Sequence, residues 1–183
     1  MTALHWTSYE SYPNMAAVLT AMHGGRKNAM AMAWHAPLSF EPPLYGAVVA
    51  PERFTHGLIV ASGAFAVNFL PWEKADLIAR VGRVSGHRVD KFRAFAIAER
   101  AVPDALAPLL ADAYAILECR VVDRHRVGDH DLFVGEIVRI HHQEGAFTPQ
   151  GYLDLNRVHP ALYLGRDWYV TTDPASARRH SGR

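Results

Sequence analysis

A single cysteine, Cys119, stands in a chain of 183 residues, so no disulfide forms within the chain and no thiolate-rich zinc site is built. That removes disulfide-stapled secreted mini-proteins and zinc ribbons together, and it suits a reducing compartment. An excess of one charge is equally missing. Nineteen Lys plus Arg against eighteen Asp plus Glu leave a formal +1, a field too weak to gather nucleic acid or an anionic membrane. The eleven His are mostly neutral near pH 7. No apolar run reaches the roughly 20 residues of a bilayer-spanning helix. The opening Met1 to Trp6 has neither the basic n-region nor the apolar core of a secretory signal. Both common phosphate-loop fingerprints, G-x-G-x-x-G and G-x-x-x-x-G-K-[ST], are absent, and no repeat is visible. The expectation is a cytoplasmic protein with no nucleic-acid or membrane partner.

What is present suffices for a sizeable core: half the residues are apolar and 20 per cent are charged. No Pro/Ser/Gly-rich stretch divides the chain, so one domain is expected over residues 1–173, with an aperiodic and mobile tail over 174–183. Met15 to Met22 reads as a strand, His23-Gly24-Gly25-Arg26 as a tight reversal, and Asn28 to Trp34 as the returning strand. Leu44 to Ala50 is apolar on both faces, as in a strand buried from both sides, and stops at Pro51. Thr55 is suited to cap a short helix through Ala61, closed by a left-handed Gly63. Phe65 to Leu70 is a strand, Trp72 to Val84 an amphipathic helix, and Val89 to Ala98 a further helical stretch. Tyr114 to Arg126 and Leu132 to His142 form the clearest hairpin, joined by residues 127–131. Many short strands without regular βαβ alternation favour a mainly β barrel with helical excursions.

Chemistry concentrates between Lys27 and Leu70. Arg53-Phe54-Thr55 at a helix start offers a guanidinium fork, a hydroxyl and N-terminal amides that converge on one anion, although an Arg there also serves as a plain solvated charge. His125, Asp129, His130, Asp131, His141 and His142 invite a metal, but neighbouring His141 and His142 on a strand point to opposite faces, and no closed ligand set is evident; the expectation is no metal. Cys119 on a strand reads as a small buried hydrophobe.

These segments together resemble the flavin reductase-like family of FMN-binding split barrels, particularly its flavoredoxin-type branch. The resembling residues are Asn28-x-Met30-x-x-x-Trp34, Ser39-Phe40-x-Pro42-Pro43, Pro51-x-Arg53-Phe54-Thr55, Gly63-x-Phe65-x-Val67-Asn68, Ser85-Gly86-x-x-x-Asp90-Lys91-Phe92 and His159-Pro160-x-x-Tyr163-Leu164-Gly165. No one piece is specific; their collinear order over about residues 12 to 170 carries the likeness.

The resemblance implies a six-stranded Greek-key barrel, a homodimer, and FMN near the dimer interface. It implies that the backbone of Met30, Ala31, Met32, Ala33 and Trp34, following Asn28, lines the isoalloxazine edge. By the same likeness Arg53, Phe54 and Thr55 hold the phosphate, Asn68 reaches ribityl hydroxyls or the pyrimidine edge, and Ser85, Gly86 and Lys91 approach from the next loop. Trp34 is equally at home as a core aromatic, Asn68 as a local backbone partner and Lys91 as a surface charge. Where many relatives carry Thr, this chain has Ala31 and loses a hydroxyl. The implied activity is FMN-dependent oxidoreduction, with hydride from NADH or NADPH and electrons passed to an acceptor, the flavin carrying the chemistry. The alternatives are a non-catalytic FMN-binding electron carrier and a pyridoxine-phosphate oxidase-like enzyme on the same barrel.

Overall fold

The computed structural model describes residues 9–180, so the opening Met1 to Trp6 and the last three residues of the expected tail lie outside the described residues. The elements, in order, are β1 (Asn14–Met15), β2 (Ala17–His23), β3 (Arg26–Met32), β4 (His35–Ser39), β5 (Leu44–Val49), α1 (Phe54–Ser62), β6 (Ala64–Phe69), α2 (Ala75–Arg83), α3 (Lys91–Ala94), β7 (Ala115–Val127), β8 (His130–His142), β9 (Leu162–Gly165) and β10 (Trp168–Val170).

The larger sheet is antiparallel in the order β3-β2-β6-β7-β8-β5-β4. Its two ends are one stretch of chain. β3 and β4 are separated only by Ala33 and Trp34, and the first half pairs with β2 while the second pairs with β5. Val48 N–H donates to the Trp34 carbonyl at 3.0 Å, continuing the β5 ladder across the break. Counted as one bent strand, β3 and β4 close a barrel of six, and the spatial order β6, β2, β3/β4, β5 is a Greek key. A smaller sheet, β1-β9-β10, sits beside it.

Particular boundaries depart from the sequence reading for local reasons. The expected strand from Met15 is broken at Ala16, whose N–H turns to the Ala161 carbonyl, so Asn14 and Met15 pair with β9 instead of β3. The Gly24-Gly25 reversal is present, both residues having positive φ, and it pairs His23 with Arg26. α2 begins three residues late, after a 3-10 turn over Trp72–Lys74. α3 is one turn long because Ala96 takes a left-handed φ of 50° that ends it. The long hairpin closes on Gly128-Asp129 alone, with Val127 opposite His130, two residues instead of the expected five.

The core is double. One cluster, including Leu19, Tyr45, Val67, Phe65 and Phe133, fills the barrel; the other, including Val18, Ile78, Leu109 and Leu110, lies between the outer face of the sheet and α2 with the segment 98–113. Alternation along β6 supplies both: Phe65, Val67 and Phe69 point in, Ala66 out. Cys119 is buried in the barrel, and burial, with Glu118 beside it, pushes its thiol up to about 12, far from a nucleophile's range. Among the described residues no helix is long and apolar enough to cross a membrane. Pro174–Ser176 form a 3-10 turn whose Ala175 N–H is accepted by Asp173.

Candidate functional site

α1 begins poorly capped. Its N-cap is Arg53, whose side chain has no oxygen to accept an orphan amide, and no cap hydrogen bond is made. Arg53 N–H goes to the Ala50 carbonyl and His56 N–H to the Arg53 carbonyl, while the Phe54 and Thr55 amides have no acceptor among the described residues. Thr55 therefore is not the cap; it lies one turn position inside, buried, and its hydroxyl accepts Asn28 Nδ2 from β3 at 2.8 Å. The sequence pattern Arg-Phe-Thr cannot distinguish the two, since any of the three can stand at the boundary.

Beside this turn is a cleft of about 290 Å³, lined among others by Asn28, Met30, Arg53, Phe54, Thr55, Ser85, Arg88 and Lys91. Two of its arginines are short of carboxylates, whereas Arg83 is paired with Asp167 at 3.2 Å. Arg53 approaches only Glu52, at 3.7 Å, with both side chains more than half exposed, a pairing of little strength. Arg88 has no ion pair among the described residues, and Arg26 lies 4.4 Å over the Phe54 ring. A helix N-terminus with open amides, one guanidinium held only by an exposed carboxylate, another without an ion pair among the described residues, and a Thr hydroxyl are chemically suited to an anion.

Gly86 closes the cleft from the loop after α2. A Cβ there would lie 2.4 Å from the Phe54 ring and 2.5 Å from Asn28 Oδ1, so only glycine lets the Ser85-Gly86 turn rest on these two residues. Ser85 Oγ accepts the His87 N–H, and His87 meets the Phe54 ring edge-on at 5.0 Å.

Lys91 lines the cleft but is engaged. It is buried, and its Nζ donates to the Ala29 carbonyl on β3 at 2.8 Å and to the Val81 carbonyl in the last turn of α2 at 2.7 Å. Burial, with the Arg53 charge added, lowers its pKa to about 8. Instead of a free surface charge, Lys91 is a clasp between β3 and α2 that leaves at most one proton for a ligand.

Because the Ala29 carbonyl turns away from β2, the alternation of the ladder turns the N–H and C=O of Ala31 the same way. They edge a second cavity, about 220 Å³, lined by Ala31, Met32, Ala33, Gly82, Tyr163 and Tyr169 among others. The two hollows share Gly82 and Arg83 and lie along β3. A Cβ on Gly82 would stand 3.1 Å from that of Ala31, so α2 comes down on β3 at two small residues.

Two expected contacts lie elsewhere. Asn68 has no exposed surface: its Nδ2 donates to Thr20 Oγ1 and the Val18 carbonyl, both at 3.0 Å, and its Oδ1 accepts Leu110 N–H at 2.8 Å. It pins the 98–113 segment to the sheet and is walled off from both hollows, which corrects its assignment to ribityl or pyrimidine contacts. Trp34 belongs to neither hollow; its Nε1 donates to Tyr12 Oη at 2.9 Å and its ring faces His130 at 5.0 Å. The tempting His and Asp residues of the hairpin are divided among partners: His125 with Asp123, His130 with Asp129, and His141 with Glu118.

Sequence reasoning missed Arg88, Gly82 and Arg83. The regular placement of Arg88 three residues beyond Ser85 was a usable signal, because one short turn carries both toward the same hollow.

Residues 9–171 match the family described as "Flavin reductase like domain". An uncharacterised protein of Aeropyrum pernix is 36% identical over 85% of this chain, which spans only 59% of that relative's length. An "NADH:riboflavin 5'-phosphate oxidoreductase" of Streptomyces pristinaespiralis is 32% identical over 84% of this chain and 78% of its own. Among solved structures, an FMN-binding protein from Thermus thermophilus, with bound 1-cyclohex-2-enone, superposes with a TM-score of 0.83 at 32% identity, covering 93% of this chain and 92% of that one.

Proposed function

Since this chain belongs to the flavin reductase-like family, we propose that it holds FMN along the outer edge of β3 and acts as an NADH- or NADPH-dependent oxidoreductase passing electrons to an acceptor. The observation that carries the reading is the uncapped first turn of α1, with two amides and the Arg53 and Arg88 guanidinium groups left without acidic partners of any strength beside a cleft. A phosphate supplies the missing acceptor oxygens and charge, and Arg53 engages two of them at once.

The residues present fit the rest of the group. The free N–H and C=O of Ala31 on the β3 edge suit a flat heteroaromatic edge with alternating acceptors and donors, and the Ala31–Gly82 approach leaves that edge without a bulky side chain. Bound there, FMN would supply hydride acceptance and onward electron transfer, so the protein need furnish position and electrostatics and no acid or base. Ala31 in place of a hydroxyl residue costs one hydrogen bond, on the order of 1 kcal/mol of cofactor affinity. Likeness to the NADH:riboflavin 5'-phosphate oxidoreductase of Streptomyces and to the FMN-binding protein of Thermus supports the choice of FMN and of a nicotinamide donor. A homodimer with the flavin near its interface, working in the cytoplasm, completes the proposal.

Purified protein should bind FMN with a rise in thermal midpoint, and anaerobic NADH or NADPH should bleach the flavin band. A colourless protein indifferent to excess FMN removes the reading; bleaching only by a protein donor makes the chain an electron carrier.

A further inference from the structure

The first turn of α1 is fixed to the barrel at two consecutive side chains that reach different strands. Thr55 is tied to Asn28 on β3, as described. His56 turns the other way, and its Nε2 lies 2.8 Å from Asp131 Oδ2 at the start of β8, both side chains at about a tenth of their full exposure. The imidazole also meets the Phe133 ring edge-on at 5.1 Å. β3 and β8 are not neighbours in the barrel, so the turn bridges its end as a strap held on both sides.

Asp131 is built to keep this grip. The hydrogen bond from His56 is the largest cause holding its carboxyl below the usual range, and Arg126 and Arg124 from β7 stand at 3.4 and 3.9 Å. Those arginines face the carboxylate from the hairpin side, while α1 presents only His56. A turn without a cap residue has no fixed end of its own, and α1 has nine residues, so its first amides are aimed by whatever clamps them.

We propose that His56 and Asp131 are positioning residues of the anion site: together with Asn28 and Thr55 they set the direction of the Phe54 and Thr55 amides, so the tip of the β7–β8 hairpin governs affinity for the phosphate of the flavin. This rests on the FMN reading above. Loss of one clamp lets the turn swing, and amides that miss the phosphate oxygens weaken charge-assisted bonds while leaving the β3 edge intact.

The test compares FMN with riboflavin, which has the same ring and no phosphate, by fluorescence titration of the full chain. His56→Leu and Asp131→Asn should each lower FMN affinity about tenfold and change riboflavin affinity less than about twofold. His56→Gln, whose amide still donates toward Asp131, should restore most of the FMN affinity. Riboflavin binding doubles as the check that each variant is folded, and a misfolded Leu variant leaves the Asn and Gln variants to decide. Equal losses for both flavins, or FMN affinity unchanged in every variant, overturns the positioning role. If the unaltered protein itself binds riboflavin as tightly as FMN, the phosphate placement fails first, and the clamp with it.

Discussion

The cleft beside α1 and the outer face of the sheet at Glu118 both gather charge, and they treat it oppositely. Glu118 has no exposed surface, yet every lone pair is used: Oε1 accepts from His141 at 2.6 Å and Arg139 Nε at 2.9 Å, and Oε2 accepts Leu106 N–H at 2.8 Å and Arg139 Nη2 at 3.0 Å. Despite burial, which alone would raise it, these donors hold the carboxyl below the ordinary glutamate range. At the cleft, Arg53 and Arg88 have donors to spare and no comparable acceptor. A buried charge whose bonds close within the chain belongs to the fold; charges left open beside a hollow are the mark of a ligand.

Glu118→Ala is the strongest way to break the contrast from the structural side. It strands Arg139, His141 and the Leu106 amide, so unfolding free energy should fall by about 3 kcal/mol in a denaturant titration. The ratio of FMN to riboflavin affinity should not move; a change in that ratio would mean the two charge clusters are coupled. The stability from this carboxylate is in place above the ordinary glutamate range and is lost as pH falls through its lowered folded value.

From the other side, Arg53→Ala should weaken FMN binding by about 2 kcal/mol, roughly thirtyfold, with stability within about 0.5 kcal/mol. Retained FMN affinity would show that this guanidinium is only a solvated charge.

Lys91 stands between the two classes, structural in its bonds and open to the cleft, and its titration sharpens the distinction. Its folded pKa is lowered to about 8, so between there and its ordinary value the unfolded chain binds more protons, and stability should rise with pH. A gain on the order of 1 kcal/mol from pH 8 to 10 is expected in flavin-free protein, and should vanish in Lys91→Met. An identical slope in both would place the titrating group elsewhere. The smallest effect is expected for Arg88→Ala: because this side chain is exposed, its loss should cost FMN about threefold in affinity, less than Arg53→Ala.

Legibility followed the range of the interaction. The Gly24-Gly25 reversal, strand β6, the left-handed Gly63 and the long hairpin could be read because turn chemistry and period-two patterning act over a few residues. The placement of Asn28, Met30 and Arg53 at one cleft could be read only by likeness to a family, since they come from separate strands and a helix start. Asn68 misled for the same reason: a strand amide facing Thr20 and Leu110 cannot be told in sequence from one facing a ligand. The clasp of Lys91 depends on where α2 ends over β3, which no local pattern states.

Residue order alone therefore decided the six main strand segments, the Gly24-Gly25 reversal and the apolar content of a barrel, because these follow from backbone sterics and side-chain alternation. Which charges are spent and which stay open was decided by the folded chain. Glu118 meets Leu106, Arg139 and His141, and His56 meets Asp131 75 positions away, through closure of one bent strand into a barrel. Charge pairing is a matter of a few ångströms in space, and sequence separation does not measure that distance.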